Sequence, residues 1–483
     1  MPPQIALVCF IGLVGWLWMR DVKRRPTVSS ASWVVMMWIV VCASRPVSEW
    51  FQSGYATTTV DAYLEGSPTD RASFLVLIAI GIIVLLRRKV AFGALVTSNR
   101  WLFVFYAYCL ASVLWSDYPF VAFKRLFKDF GNVVMVMVLL TERDPVDAIT
   151  GTFLRVSYLL IPLSVVFVRF YPELGRTYTG YSQNDLMYVG VTTHKNTLGA
   201  LLVVAVVFVV ADLLWRRAAP AVKRARFEWL DAAIVLLMTV WLLRIADCAT
   251  AVFCSIVGVG VLLATRSPKV TQRLRFVEFY AIGGGILWFV LDSVFHVTEL
   301  VVLSLGRDMT LTTRTGAWEV LLNADVSPLF GAGFKSFWAG ERMTRMWSAI
   351  GAHIVQAHNG YIETYLEGGA VGLAFLMVML LAGFRKIKTP LVQGDPFARV
   401  RLTFWLLALF YNFSEASFTQ IGILWCLTLL VIADGPTPLL AAAAAPAAEA
   451  AVLQPAMLIH QWVAHPSIGA RQFALQRAPR NSQ

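Results

Sequence analysis

Charge is scarce in this sequence. Only 14% of its 483 residues are Asp, Glu, Lys or Arg, where a soluble domain carries about 25%. With 58% hydrophobic residues and a mean hydropathy of +0.67, a soluble globular fold is excluded. Short segments of alternating apolar and polar residues are missing as well, which excludes a β-barrel. None of the six cysteines forms a Cys-x-x-Cys pair, so the usual zinc and redox motifs fall away. They lie in or at the ends of apolar runs and read as small buried hydrophobes. There is no Asp-x-Asp for a metal-bound nucleotide sugar, no Gly-x-x-x-x-Gly-Lys phosphate loop and no His-Glu-x-x-His. The net charge is +12, yet no basic face is interleaved with a stacking platform. Nucleic acid is therefore not an expected partner.

What is present is a series of apolar runs of membrane length. They fall near 5–19, 31–43, 72–86, 101–115, 121–140, 149–168, 196–215, 229–245, 248–265, 277–296, 361–384, 402–418 and 421–434, about thirteen in all. The pattern predicts an all-α polytopic membrane protein with about 12–13 transmembrane helices. Basic clusters at 20–25, 87–89, 216–226, 266–275 and 385–401 mark the cytoplasmic side. Alternation then places 44–71, 116–120, 169–195, 297–360 and 414–420 outside, and the largest of these is 297–360. Residues 1–434 read as one transmembrane domain that includes this loop. The Ala/Pro-rich stretch 435–483 reads as a disordered cytoplasmic tail.

The chemistry concentrates in the large loop. His358 stands where the loop meets a span, with Asn359 beside it to fix a tautomer or hold a hydroxyl. A neutral imidazole there can take a proton from an alcohol; the plainer alternative is a structural histidine. Tyr361 and Tyr365, one helical turn apart, offer a polar-aromatic face for a sugar or headgroup. Arg314 sits among Thr312, Thr313 and Thr315, ahead of a helix expected near Gly316. Hydroxyls, guanidinium and helix N-terminus together make an anion site. Arg307 is either a second contact or a solvated arginine. His194, Lys195 and Asn196 open the span after the outside segment that carries Arg169 and Arg176. Such a polar triplet at a helix entrance is costly unless used or capped. Trp115 and Tyr118 read as interfacial anchors, while Lys124 and Arg125 can meet an anionic headgroup. Gly331 and Gly333 suit a turn, and Gly368-x-x-x-Gly372 suits close helix packing.

Taken together, these motifs resemble the O-antigen ligase/polymerase superfamily, and within it the ExoQ-like exopolysaccharide polymerases. The likeness rests on Trp115-Ser116-x-x-Pro119 with Lys124-Arg125, on His194-Lys195-Asn196-x-Leu198-Gly199, and on Gly306-Arg307-Asp308-x-Thr310-Leu311-Thr312-x-Arg314-Thr315. It continues through Trp318, Pro328, Gly331-x-Gly333-Phe334, His358-Asn359 and Gly369-x-x-Gly372, covering about 100–430. Thr313 stands where the family often has glycine, and Asp247-Cys248-Ala249-Thr250 replaces a Ser-rich segment. The resemblance implies a lipid-dependent, GT-C-like glycosyltransferase of the bacterial inner membrane, with its active site facing the periplasm. It implies an undecaprenyl-diphosphate-linked oligosaccharide donor, no metal and no cofactor, with Arg314 and His358 as catalytic residues. Membrane lipid, a flippase and a chain-length-determining co-polymerase are the further partners it implies. An O-antigen ligase acting on lipid A-core shares the same motifs. A transporter of a polar solute, the rival from another class, would show several mid-span charges and internal repeats; Arg155 is the clearest such charge.

Overall fold

Prolines set the starts of the helices. In the computed structural model, which describes residues 2–51, 66–179, 182–218, 229–273 and 314–435, each expected apolar run among those residues is helical. The helices of nine residues or more are α1 (Pro3–Arg24), α2 (Ala31–Ala43), α3 (Pro68–Arg87), α4 (Arg100–Ser112), α5 (Pro119–Leu140), α6 (Pro145–Phe170), α7 (Lys195–Ala218), α8 (Leu230–Ala246) and α9 (Ala249–Ala264). After them come α10 (Arg314–Leu322), α11 (Gly340–Ile350), α12 (Gly360–Val392), α13 (Pro396–Ser414) and α14 (Ile423–Ile432). α1, α3, α5, α6 and α13 each begin on proline, whose missing N–H costs nothing there. Ser67, Asp144, Asn359 and Asp395 cap α3, α6, α12 and α13 through their side chains. The chain is an all-α polytopic membrane protein. Its only strands among the described residues are a short hairpin, β1 (Arg176–Thr179) and β2 (Ser182–Tyr188), within the segment 169–195 that joins two spans. The expected span 277–296, Arg307 with its neighbours, and the tail from 436 lie outside the described residues.

Among the described residues, α1, α3, α6, α7 and α12 are each long and apolar enough to cross a membrane. Burial separates them. Some 83% of the apolar window of α6 and 78% of that of α7 are enclosed, against 22% for α1 and α3, so α6 and α7 are central and the other pair faces lipid. α14 has 10 residues, all buried. At about 1.5 Å per residue it covers only about half of a hydrocarbon core about 30 Å thick. The irregular segment before it is therefore held inside the bundle. Asn412 Oδ1 accepts from the backbones of Ser417 (2.8 Å) and Phe418 (2.9 Å), while its Nδ2 donates to Ser417 Oγ at 2.7 Å. Non-helical backbone survives at such depth only when protein satisfies it.

A second irregular passage interrupts α12. Gly369 adopts φ 63° and ψ −167°, and the helix opens to admit residues 328–333. Ala332 and Gly333 N–H donate to the carbonyls of Leu366 and Glu367, both at 2.9 Å. In return Ala370 donates to Pro328 O (2.9 Å) and Val371 to Leu329 O (3.1 Å). A Cβ on Gly369 would run into the Leu329 carbonyl. Gly369→Ala is therefore expected to lower the melting temperature of the purified protein sharply, since the left-handed backbone alone costs a non-glycine residue roughly 1–3 kcal/mol. Gly372→Ala, whose Cβ would meet only the Tyr108 ring at 3.0 Å, should be milder. Equal melting temperatures for the two variants would show that the opening at Gly369 carries no such constraint.

Above the helices, α10, α11 and the first turns of α12 share a small core of Leu321, Phe337, Trp338, Met343 and Leu366. At the end of α7 remote from Lys195 lies a buried ion network. Asp21 of α1 meets Arg155 of α6 at 2.6 Å and also pairs with Arg25. Arg25 reaches Asp212 of α7 at 2.7 Å, and Asp231 of α8 takes Arg24 (2.6 Å) and Arg216 (3.1 Å). The mid-span charge at Arg155 is thus paired inside the protein rather than aimed at a solute path.

Candidate active site

His358 is fixed by its neighbours. Ala357 N–H donates to Glu363 Oε2 at 2.7 Å, and its carbonyl accepts from the Trp318 indole at 2.7 Å. On the other side Asn359 Oδ1 accepts from Tyr361 N (3.0 Å) and Ile362 N (3.1 Å), and Nδ2 donates to Phe413 O at 3.2 Å. Between these anchors His358 takes φ 49°. Left-handed backbone is costly for a residue with a Cβ and persists where surrounding bonds impose it.

The imidazole meets a residue that the sequence reading missed. Glu415 follows α13, and its backbone carbonyl accepts from Gly360 N at 3.1 Å. Its Oε2 lies 3.2 Å from His358 Nδ1. Its Oε1 accepts from Asn196 Nδ2 at 2.6 Å and from Arg314 Nη2 at 3.1 Å. Arg314 Nη1 also donates to the Ser414 carbonyl. Three residues distant in sequence thus converge on one carboxylate. The side chains of Arg314 and His358 are 25% and 26% exposed and that of Glu415 only 8%, so the two basic groups stand at the surface with the acid beneath. One signal was available: Glu415 is the sole acid in the turn 414–420, and an acid between two spans is costly without a partner.

Burial pushes the Glu415 carboxyl up, but the hydrogen bond and charge of His358 and the Arg314 guanidinium outweigh it and hold it below its ordinary value. A carboxylate on Nδ1 leaves His358 Nε2 as the nitrogen free to accept a proton. His194 behaves differently. Its Nδ1 accepts from Asn196 N–H at 3.2 Å, which assigns the proton to Nε2. Burial lowers its pKa; the Glu415 charge opposes this, and His358, Lys195 and Arg314 add to the lowering.

Both shifts make the folded protein bind fewer protons than the unfolded chain, so stability must fall with pH. For His194 the loss begins as pH drops below its ordinary value of 6.5. For Glu415 the contribution is present above the ordinary 4.5 and is lost as pH falls through the lower folded value. The melting temperature in nanodiscs should decline from pH 7 to pH 4, and His194→Gln should flatten the upper half of that decline. An unchanged slope in the variant would contradict the assignment.

The other expected site residues are distributed as follows. Lys195 Nζ donates to the Asp247 carbonyl at 3.3 Å. Tyr361 is turned into the bundle, its hydroxyl on Leu409 O (3.1 Å) and its ring against Phe418. Arg176 donates through Nε and Nη2 to Val168 O, near the C-terminal end of α6. Arg169 is exposed in the last turn of α6. Lys124 lies over the Phe120 ring, and Arg125 donates to Lys335 O at 2.6 Å. Beside Glu415 opens a cleft of about 220 Å³. Its lining combines polar residues (His194, Asn196, Gln356 and Glu415) with apolar ones (Ala200, Ile423, Leu424 and Trp425). Such a cleft suits a ligand with a polar head and a hydrocarbon tail.

No family model matches the chain. Over 318 residues it is 26% identical to the Exopolysaccharide production protein ExoQ of Rhizobium meliloti (strain 1021), a match spanning 62% of this chain and 68% of that protein. The chain is a distant relative of that protein, as its motifs suggested.

Proposed function

We propose that this distant relative of an exopolysaccharide production protein joins polysaccharide repeat units carried on undecaprenyl diphosphate, at the periplasmic face of the inner membrane. The observation that carries the reading is the convergence of Arg314 and His358 on Glu415, beside a cleft lined by both polar and apolar residues. His358 Nε2 takes the proton of the acceptor hydroxyl. The acceptor oxygen bonds to the anomeric carbon of the donor, and the bond from that carbon to the phosphate oxygen breaks. The electron pair leaves with undecaprenyl diphosphate, whose charge Arg314 and Lys195 meet. Glu415 keeps Nδ1 protonated and so keeps the lone pair on Nε2, the orienting part that a carboxylate plays behind a catalytic histidine. Fixed positive groups aimed at the departing charge supply electrostatic stabilisation without reorganisation.

The deciding experiment is to inactivate the gene in its host and size both the surface polysaccharide and its lipid-linked precursor. Loss of long polymer with accumulation of single lipid-linked units supports polymerisation. Loss of glycan from lipid A-core, with long lipid-linked chains retained, would replace it with ligation. Unchanged polysaccharide would refute both. For orientation, a cysteine placed at the exposed Ser348 of α11 should react with an impermeant thiol reagent in outer-membrane-permeabilised cells. Reaction only after lysis would overturn the periplasmic placement.

A further inference from the structure

A second groove, larger than the cleft at Glu415, is also present. It lies between α10 and α11, is open, and measures about 460 Å³. That is within the range of about 300–1,000 Å³ typical of small-ligand clefts. Glu319, Asn323 and Asp325 contribute from α10 and the turn after it; Arg342, Arg345 and Met346 contribute from α11. The mixture is suited to a saccharide. Carboxylates accept from sugar hydroxyls, guanidinium groups donate to hydroxyl and ring oxygens, and the methionine offers apolar contact to ring C–H faces.

Two further observations point the same way. Arg342 uses Nη2 on Asp117 at 2.5 Å, yet its Nε and Nη1 are out of solvent with no hydrogen-bond partner. Those enclosed donors do not reach the groove; what Arg342 brings to its wall is a positive charge fixed in place by Asp117. The second observation is connectivity. α10 begins at Arg314 and spans nine residues, its second half lining the groove; its whole length is about 13 Å at 1.5 Å per residue. One short helix therefore links the group proposed to grip the diphosphate to the groove, at the distance of a few sugar rings.

We infer that the α10–α11 groove is a second saccharide subsite that holds the growing glycan a few rings away from the bond being formed. The inference rests on the polymerase reading above. A remote hold on the glycan keeps the long chain near the site between additions, so it sets product length without touching the reacting atoms. Single-unit joining does not depend on it.

The test pairs N323A/D325A and, separately, Arg345→Ala with the parent protein in the host. The expected result is at least a threefold drop in modal polymer length, with consumption of single lipid-linked units within twofold of the parent. Purified full-length protein in nanodiscs should also bind lipid-free oligosaccharide released from the host's own polysaccharide. The groove variants should weaken that binding at least fivefold, and His358→Ala should leave it unchanged. An unaltered length distribution and unaltered binding in well-expressed groove variants would overturn the subsite while leaving the polymerase reading intact. Groove variants that accumulate single units as His358→Ala does would also overturn it, because they would place those residues in the joining step. If gene inactivation leaves the polysaccharide unchanged, it is the underlying reading that fails.

Discussion

His358→Ala is expected to stop polymer formation while the protein remains in the membrane. Removing a general base costs about 10²–10⁴ in rate, enough to leave single lipid-linked units accumulating and little long product. The matched control is His353→Ala. His353 is exposed in the same loop, five positions earlier, and its ring stacks on Trp347 at 4.6 Å; that variant should keep most activity. Because His358 holds φ 49°, loss in the alanine variant could arise from the backbone alone. His358→Asn separates the two causes, since asparagine tolerates the left-handed region but cannot serve as the base. Both variants should fail equally. Normal polymer from His358→Asn would show that the histidine serves the turn and not the chemistry.

Arg314→Lys is expected to lose at least tenfold in polymer yield. The guanidinium already spends one nitrogen on the Ser414 carbonyl and another on Glu415 at 3.1 Å. A planar fork can hold those and still present N–H groups to a diphosphate; an ammonium on a flexible stem cannot. Arg71→Lys, at an exposed position in the first turns of α3, is the control and should be close to the parent. Yield is measured with protein level checked by blot. An Arg314→Lys strain with full polymer would reduce Arg314 to a structural role at Glu415.

Much of the scaffold was legible because its causes are local. An apolar run of membrane length has few alternatives to a helix, and the structure starts four of these helices a few residues before the run, on Pro68, Pro119, Pro145 and Pro396. His194, Asn196 and His358 could be singled out because polar groups at the mouths of apolar spans are costly without a use, and Arg314 because hydroxyls and a helix start surround it. Glu415 could not be singled out so readily. Its partners lie 219, 101 and 57 residues away, and a single acid in a short turn has no spacing to read. Tyr361 and Arg176 show the reverse. Their residue types suit a ligand, yet the structure gives the Tyr361 hydroxyl to Leu409 and the Arg176 guanidinium to Val168. Gly372 packs on Tyr108, as its spacing suggested. The opening at Gly369 depends on a strand of chain some forty residues earlier, and no local pattern announces it.

The ion network at the far end of α7 makes the order of synthesis matter. Arg25 waits for Asp212, 187 residues later, and Arg24 waits for Asp231, 207 residues later. At about 5–20 residues per second, the second wait is about 10–40 s. A charge costs about 2.5–3.5 kcal/mol when an isolated helix carries it to the middle of a bilayer; Arg155, on α6, already has Asp21 of α1 when it is made, but Arg24 precedes its acid. The first six helices are therefore committed to the membrane while Arg24 still lacks Asp231, and while Arg25 has Asp21 but not yet Asp212. Something must shelter the Arg24 guanidinium meanwhile, whether interfacial water, lipid phosphate or the insertion machinery. The seventh and eighth helices then close the bundle by neutralising charges already in place. A chain halted before α8 would keep Arg24 uncompensated and present itself to membrane proteases as unfinished.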